Sequence, residues 1–294
     1  MTERIEIQVP KGVPRTRLED FLLGRFTGLS KMYIRDVVRD EKCEVNGRNE
    51  NIGFRVRADD LIEIELDMER ENAMRPQKIE LSIIYEDAHL IVIDKPAGML
   101  VHPTHRERNG TLLNAVTYHV NIGNKGAFIR PGLIHRLDKE TSGVVVLAKT
   151  AAAHRKIAGQ FMKRFVKKTY LALVDGDVEA DNGSIDAPIG RFDETKFWDV
   201  KEDGKPSQTN YRVAERYADT TLLELEPVTG RTNQLRIHCQ HIGHPIVGDI
   251  KRGGREFERL CLHAWKIAFR HPSGGEFLQF EADKQVFTKL RESR

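Results

Sequence analysis

Short runs of strand-forming residues separated by turn residues recur along this 294-residue chain, without regular interleaving by helical runs. Runs of this length that are rich in β-branched residues predict strands, and turn residues between them predict hairpins. The runs lie at 61–66, 81–85, 90–93, 144–149, 169–174, 208–213 and 222–226. A doubly wound sheet would need a helix after each strand. We therefore expect an α+β fold with a mixed, mainly antiparallel central sheet and flanking helices.

The N-terminal segment predicts a small α/β unit of its own. Residues 18–22 place apolar side chains at helical spacing, and Ser30 is a candidate N-cap for a second helix. The pair Asn46-Gly47 predicts a tight hairpin turn, and residues 61–66 alternate as a strand with one buried face does. The N-terminal unit is therefore predicted to consist of two helices followed by a β-hairpin.

A linker separates this unit from the rest. Residues 68–78 are charged, lack apolar periodicity and include Pro76, which is typical of an exposed connection. We therefore expect domains at 1–67 and 79–294.

Composition narrows the class of protein. Hydrophobic residues make up 39% and charged residues 31%, as in an ordinary soluble protein. No apolar run approaches the roughly 20 residues that cross a bilayer, and the first residues lack the apolar stretch of a signal peptide, so we expect a cytoplasmic protein. Cys43, Cys239 and Cys261 are too scattered for a disulfide framework or a zinc ribbon. Because the net charge is only +3, any footprint for a nucleic acid must be local.

One carboxylate stands out as a candidate for chemistry. Asp138, in the run HRLDKETSG at 135–143, lies where a turn leads directly into the apolar strand at 144–149. A carboxylate serves as nucleophile or base only if the fold keeps it ionised and aimed, and a loop fixed by a core strand can do so. A plain turn is the alternative, since Asp, Thr, Ser and Gly are common where a chain reverses.

The sequence around Asp138 resembles a known family. HRLDKETSGVVVLAK at 135–149 closely resembles the motif around the active-site aspartate of the RluA-type pseudouridine synthases, which isomerise uridine within RNA. Blocks at 84–103 and 230–249 resemble the same family, so the resemblance covers roughly 78–287. It implies the pseudouridine synthase fold, a long and mostly antiparallel sheet that bears a cleft. The N-terminal unit resembles the S4 RNA-binding domain, with a purely structural domain as the alternative.

The resemblance also implies catalytic roles. Asp138 would supply the carboxylate, either by attacking the sugar or base or by removing the 2′ hydrogen, and the sequence leaves both routes open. A buried carboxylate needs an opposite charge nearby to stay ionised, and the fork of an arginine can grip both oxygens. We expect Arg236 to be that partner of Asp138, with Arg231 as the alternative candidate. Either arginine could instead contact RNA.

Three further residues complete the predicted site. Tyr170 lies in a segment that resembles the family's source of the ring that supports the extruded base, and its hydroxyl could act in proton transfer. A tyrosine that only packs is the alternative. The resemblance gives Arg136 a role in holding the RNA, and we expect its side chain to point away from the carboxylate. Leu235 is expected to form an apolar wall. Asn233 stands where many relatives carry histidine, and we assign it no catalytic role.

A basic segment follows the candidate catalytic loop. Residues 150–174 contain no acid, and Lys163, Arg164 and Lys167 are candidates to contact RNA phosphates. A solvated helix face is the alternative.

Isomerisation of uridine needs no cofactor, and the chain has no phosphate-binding Gly-x-x-x-x-Gly-Lys motif. A divalent-metal hydrolase is the rival enzyme, built on His238, His241, His244, Cys239 and Asp249. Since the run 243–249 breaks any helix and His-x-x-His is a weak signal, we expect no metal.

RNA is the expected partner, and we expect the protein to act as a monomer. The combination of S4-like and catalytic units favours large-subunit ribosomal RNA, with transfer RNA as the alternative substrate. A non-catalytic RNA-binding or ribosome-assembly protein of the same fold is the other alternative.

Overall fold

The computed structural model describes residues 2–68, 75–104, 106–126 and 128–284. Cα proximity divides the chain into two compact units, residues 1–79 with 102–129 and residues 80–101 with 130–294. The domains at 1–67 and 79–294 stay a prediction. Residues 69–74 of the expected linker and the last ten residues of the expected second domain lie outside the described residues.

The described residues of the first unit form three helices and six short strands. The strands are β1 (Thr2–Gln8), β2 (Thr16–Arg17), β3 (Cys43–Val45), β4 (Arg48–Asn49), β5 (Arg55–Val56) and β6 (Leu61–Asp67), and the helices are α1 (Leu18–Arg25), α2 (Lys31–Arg39) and α3 (Leu112–Asn121). An antiparallel sheet runs in the order β1-β6-β3-β4, and β2 pairs with β5. The expected N-cap is confirmed, since the Ser30 hydroxyl accepts a hydrogen bond of 3.2 Å from the Tyr33 amide.

The core of this unit follows from the alternation along β6. Ile62, Ile64 and Leu66 are buried, and they cluster with Leu18 and Leu22 of α1. The hairpin between β3 and β4 turns at Asn46 and Gly47, where φ is 52° and 71°. Both values are positive, as a type I′ turn requires, and Asn and Gly tolerate them best. The hairpin prediction is therefore confirmed.

The second unit is built on a ten-stranded sheet. Its strands are β7 (Ser82–Glu86), β8 (Leu90–Lys95), β9 (Gly132–Leu133), β10 (Ser142–Ala148), β11 (Lys167–Asp175), β12 (Asn182–Asp186), β15 (Gln208–Arg216), β16 (Thr220–Pro227), β17 (Leu262–Arg270) and β18 (Phe277–Glu281), and a separate hairpin is formed by β13 (Ile189–Phe192) and β14 (Phe197–Val200). The order is β12-β15-β16-β11-β17-β10-β8-β7, with β18 paired to β17 and β9 to β10. Among these described strands β10 and β17 pair parallel and the others antiparallel, so the predicted fold class is confirmed.

Strand β10 is the rigid mount beneath the Asp138 loop. All seven of its residues are buried, and it lies between β8 and β17. At Gly143 the φ angle is 110°, and an added Cβ would lie 2.2 Å from the carbonyl oxygen of Ala264 on β17. Only glycine allows β10 and β17 to approach this closely. The close contact between β10 and β17 therefore fixes the position of the loop before β10.

Two helices flank the sheet of this unit. Helix α4 (Ala151–Met162) packs against β10 and β17, and α5 (Gln234–His241) packs against β16 and the hairpin strand β14. A short 3₁₀ helix, Ile250–Arg252, contacts α5. In the part of the chain that is described, no helix is long and apolar enough to cross a bilayer.

Candidate active site

Three segments of the second unit enclose a cavity of about 330 Å³. They are the loop 135–138 before β10, the beginning of β11 with Tyr170, and the loop 227–236 that leads into α5. The predicted residues Asp138, Tyr170 and Arg236 all line this cavity. Residues that are far apart in the sequence therefore meet at one place.

Asp138 is half-buried in the wall of the cavity. Its main-chain carbonyl accepts a hydrogen bond of 3.1 Å from the Thr141 amide, which closes the turn into β10. Its carboxylate forms no hydrogen bond or ion pair with the described residues. The two oxygens are therefore available to a molecule in the cavity.

The guanidinium of Arg236 does not grip Asp138 as expected. Its Nε and one terminal nitrogen donate hydrogen bonds of 2.6 and 2.7 Å to the two carboxylate oxygens of Asp249. The side chain of Asp249 is only 1% exposed, and a carboxylate buried this deeply needs a charged partner. The expectation of a bidentate pair between Arg236 and Asp138 was therefore wrong in its geometry. The remaining terminal nitrogen donates a hydrogen bond of 3.3 Å to the side chain of Asn233.

Arg236 and Asp138 still interact through space. The charges of Asp249 and Asp138 both act to raise the pKa of Arg236, against the effect of its burial, and the net shift is upward. Burial lowers the pKa of Lys95 and of Arg252, and the negative charge of Asp138 acts against that lowering in both. The carboxylate thus lies in the field of three cations without direct contact to any of them.

Tyr170 faces the same cavity because the pairing of β11 shifts beside it. Thr169 pairs with Lys266 of β17, but Tyr170 pairs with Ala264, so Trp265 is passed over. Such irregularities re-aim side chains and are common beside active sites. Burial, and then the negative charge of Asp138, raise the pKa of the Tyr170 hydroxyl well above its usual value. The phenol is therefore protonated at neutral pH and can donate a hydrogen bond.

The substrate-binding residues predicted around Asp138 line the cavity as well. Arg136 is exposed and lies on the same cavity as Asp138. Our expectation that it would point away was wrong, because residues two apart in an extended segment share a face. The Arg231 guanidinium donates weak hydrogen bonds of 3.3 and 3.4 Å to the carbonyl of Pro206, and Leu235 is buried in the wall.

The loop before α5 is fixed by its own side chains. Asn233, the residue before α5, has a φ of 55°, a left-handed conformation that asparagine adopts more readily than most residues. Gln234 accepts from the Thr229 hydroxyl at 2.7 Å and from the Arg231 amide at 3.0 Å, and it donates to the Gln208 carbonyl at 2.9 Å. These bonds position the start of α5, which carries Arg236.

The basic residues of the segment after the Asp138 loop lie partly at the end of α4 and partly on β11. Lys163 follows the last residue of α4, Arg164 has a left-handed φ of 59°, and Lys167 begins β11. All three side chains are exposed. Lys168, by contrast, is half-buried and lines the cavity, and burial lowers its pKa.

Sequence reasoning missed several residues of the cavity. His135 is stacked on Phe161 with ring centroids 5.1 Å apart, and its Nε2 accepts a hydrogen bond of 3.0 Å from the Val146 amide. Burial lowers the pKa of His135 to about 3, so the ring is neutral. His135 precedes Asp138 in the same motif, which is the signal that could have drawn attention to it. Phe161 carries no comparable signal, because a phenylalanine near the end of an amphipathic helix usually belongs to the core.

Lys95 is a second residue that the sequence did not single out. It is fully buried, and its ammonium group donates hydrogen bonds of 2.7, 2.8 and 3.1 Å to the carbonyls of Pro96, Met99 and Lys139. Lys139 directly follows Asp138. Lys95 thus ties the end of β8 to the candidate catalytic loop.

Two histidines of the metal hypothesis have other partners. Nδ1 of His238 lies 2.9 Å from the Thr209 hydroxyl and its Nε2 lies 3.1 Å from the Ala187 carbonyl, while Nδ1 of His244 lies 2.8 Å from the Asp175 carbonyl. No cluster of three or more His, Cys, Asp or Glu side chains suited to a metal occurs within the described residues.

The chain is similar to known proteins over most of its length. The RNA pseudouridylate synthase family matches residues 89–241. The chain is 38% identical to ribosomal large subunit pseudouridine synthase D of Pseudomonas aeruginosa, over 94% of this chain and 90% of that protein. It is 32% identical to ribosomal large subunit pseudouridine synthase C of Vibrio cholerae, over 98% and 97% respectively.

A solved structure agrees with these matches. Human RNA pseudouridylate synthase domain containing 1 superposes with a TM-score of 0.61 at 29% identity, covering 73% of this chain and 87% of that one. The family match spans the Asp138 loop, Tyr170 and Arg236, which together line the cavity described above. The chain therefore belongs to the RNA pseudouridylate synthase family, as an RluA-type enzyme that acts on RNA.

Proposed function

We propose that this enzyme isomerises uridines of large-subunit ribosomal RNA in the cytoplasm, with Asp138 as its catalytic carboxylate. The observation that carries the proposal is the carboxylate of Asp138, which lines a cavity of about 330 Å³ and has no hydrogen bond or ion pair with any residue that the structure describes. The names of the relatives from Pseudomonas aeruginosa and Vibrio cholerae support ribosomal RNA as the substrate.

The reaction needs little beyond this carboxylate. The bond between C1′ and N1 breaks, the base turns, and C1′ forms a new bond to C5. The hydrogen that leaves C5 is balanced by one gained at N1, so nothing is oxidised or reduced and no cofactor is consumed. Asp138 would attack the sugar or base, or else remove the 2′ hydrogen so that a glycal forms. The cations Lys95, Arg236 and Arg252 lie close enough to interact with the negative charge that Asp138 carries in either route.

Tyr170 would support the extruded base. Its ring lines the cavity, and its protonated hydroxyl is suited to donate a hydrogen bond rather than to remove a proton at neutral pH. Leu235 would supply an apolar wall that retains the detached uracil, while Arg136 and Arg231 at the same cavity would hold the RNA around the extruded nucleotide.

RNA contacts outside the cavity would add affinity. Lys163, Arg164 and Lys167 are exposed cations next to the site and would neutralise phosphates. Residues 1–67, with two packed helices and a small sheet, would act as an S4-like RNA-binding domain of a monomeric enzyme.

Mapping of pseudouridines in ribosomal and transfer RNA, from cells with and without this gene, tests the proposal. The expected result is the loss of pseudouridine at specific positions of large-subunit ribosomal RNA. Loss from transfer RNA alone would contradict the proposed substrate. Loss at no position in either RNA class would contradict the proposed function as a whole.

A further inference from the structure

A second recess, here called the flanking groove, adjoins the candidate catalytic cavity. Its volume is about 890 Å³, against about 330 Å³ for the cavity. The two recesses share the wall residues Phe161, Lys168, Pro227, Thr229, Gly230 and Arg231. If the cavity holds one extruded nucleotide, the groove has room for about two more along the same strand.

The floor of the groove is one face of three adjacent strands. Lys167 of β11 pairs with Ala268 of β17, and Ala268 pairs with Gln279 of β18. All three residues line the groove, as expected from side chains that face the same way across a sheet. Ala268 is the smallest of the three and is buried, so the floor is deepest at the middle strand.

The walls of the groove expose two large apolar side chains. Met162, at the end of α4, is 80% exposed, and Phe277, at the start of β18, is 56% exposed. A nucleobase offers an apolar face of the kind that stacks on phenylalanine. Exposed apolar groups that line a recess commonly mark a binding site.

The charge of the groove identifies the kind of ligand. Arg164, Lys167, Lys168, Arg231 and Lys266 line it, and among the described lining residues Glu226 is the one that carries a carboxylate. Lys266 is paired with Glu281 at 2.7 Å, but Arg164 and Lys167 form no ion pair with any described residue. Free cations beside an exposed aromatic ring match a strand of phosphates and bases better than they match an apolar protein segment.

We propose that the flanking groove binds an unpaired stretch of the substrate RNA next to the target uridine, with a base stacked on Phe277 and phosphates on Arg164 and Lys167. This inference rests on the proposed function. The stretch must be unpaired, because both faces of a base inside a duplex are already covered by its neighbours. The enzyme would therefore select uridines that lie beside single-stranded nucleotides.

Binding of two labelled probes tests the groove directly. The probes are a fluorescein-labelled single-stranded RNA of about eight nucleotides and a duplex RNA of the same length. Phe277→Ala should weaken binding of the single strand roughly tenfold, the loss expected for one stacked base, and should change duplex binding less than about twofold. Phe277→Trp should restore the affinity. Lys167→Gln should lower the salt dependence of single-strand binding by about one ion.

The matched control is Phe165→Ala, because Phe165 is 66% exposed and does not line the groove. An equal loss of affinity in this control, or no loss in Phe277→Ala with normal thermal unfolding, would overturn the inference. Measurement of turnover distinguishes failure of the groove inference from failure of the proposed function. With ribosomal RNA from cells that lack the gene, Phe277→Ala should raise KM and preserve kcat. If wild-type enzyme forms pseudouridine and KM is unchanged, the groove inference fails alone, whereas absence of wild-type product means that the proposed function fails.

Discussion

The buried pair of Arg236 and Asp249 gives the most quantitative prediction. Two hydrogen bonds of 2.6 and 2.7 Å join side chains that are 16% and 1% exposed. Removing one member of such a pair leaves the other charge buried without compensation, which costs about 3–5 kcal/mol. With about 3 kcal/mol lost in Asp249→Asn or in Arg236→Met, the melting temperature should fall by about 6–12 °C, at about 2–4 °C per kcal/mol for a protein of this size.

The double variant tests whether the two residues act as a pair. Arg236→Met combined with Asp249→Asn removes both charges and leaves neither buried alone, so the double variant should cost about 3 kcal/mol or less rather than the sum of about 6 kcal/mol. The matched control is the surface pair of Arg212 and Glu224, where Arg212 is 66% exposed and the distance is 2.8 Å. Breaking that pair should cost less than about 1 kcal/mol.

Thermal unfolding followed by circular dichroism measures all of these variants, and turnover on ribosomal RNA measures the consequence for chemistry. Asp249→Asn frees Arg236 to leave its place beside Asp138, so kcat should fall by about 10²-fold. A melting temperature within about 1 °C of the wild type for Asp249→Asn, or additive losses in the double variant, would refute the assignment of a buried, coupled ion pair.

Three further predictions follow from the same site. Tyr170→Phe should yield folded enzyme that binds RNA with little turnover left, and near-normal rates in that variant would remove the hydroxyl from the mechanism. Burial lowers the pKa of Lys95 from 10.5 to about 8, so between these values the unfolded chain holds a proton that the folded chain has released. The stability of the wild type relative to Lys95→Met should therefore rise with pH across this range in urea unfolding, and a constant difference would count against the assignment. Neutralising Lys163, Arg164 and Lys167 together should weaken binding of all RNAs alike and reduce the salt dependence by about two to three ions, whereas an unchanged slope would leave them as a solvated surface.

The strands could be predicted because the pattern of apolar residues within each segment reflects which of its residues are buried. Every residue of β10 is buried, which gives the continuous apolar run after Asp138, and the alternation at 61–66 matches the buried residues of β6. The direction of the Arg136 side chain could also have been predicted, since residues two apart in an extended segment share a face.

Other features of the site depend on tertiary contacts. Arg236 and Asp249 both lie in the third family block, but their spacing does not tell which carboxylate the arginine grips. Its choice follows from the deep burial of Asp249, which only the folded structure reveals. Lys95 looks like a surface lysine in the sequence, because lysine is almost never fully buried without partners. Its partners include the carbonyl of Lys139, 44 residues further along the chain.

The shift in pairing beside Tyr170 is equally invisible in the sequence. In a regular register Trp265 would pair with a residue of β11, but the observed register leaves Trp265 without a pairing partner on that strand. This determines which way the tyrosine faces, and no property of residues 167–175 alone encodes it.

The role of Asp138 can be measured most directly with Asp138→Asn, which keeps the shape of the side chain and removes its charge. The assay is single-turnover formation of pseudouridine in ribosomal RNA taken from cells that lack the gene, with RNA binding measured on the same preparation. No product is expected from the variant, with RNA affinity within a few-fold of the wild type. Product formed by Asp138→Asn at the wild-type rate would show that Asp138 is not the catalytic carboxylate.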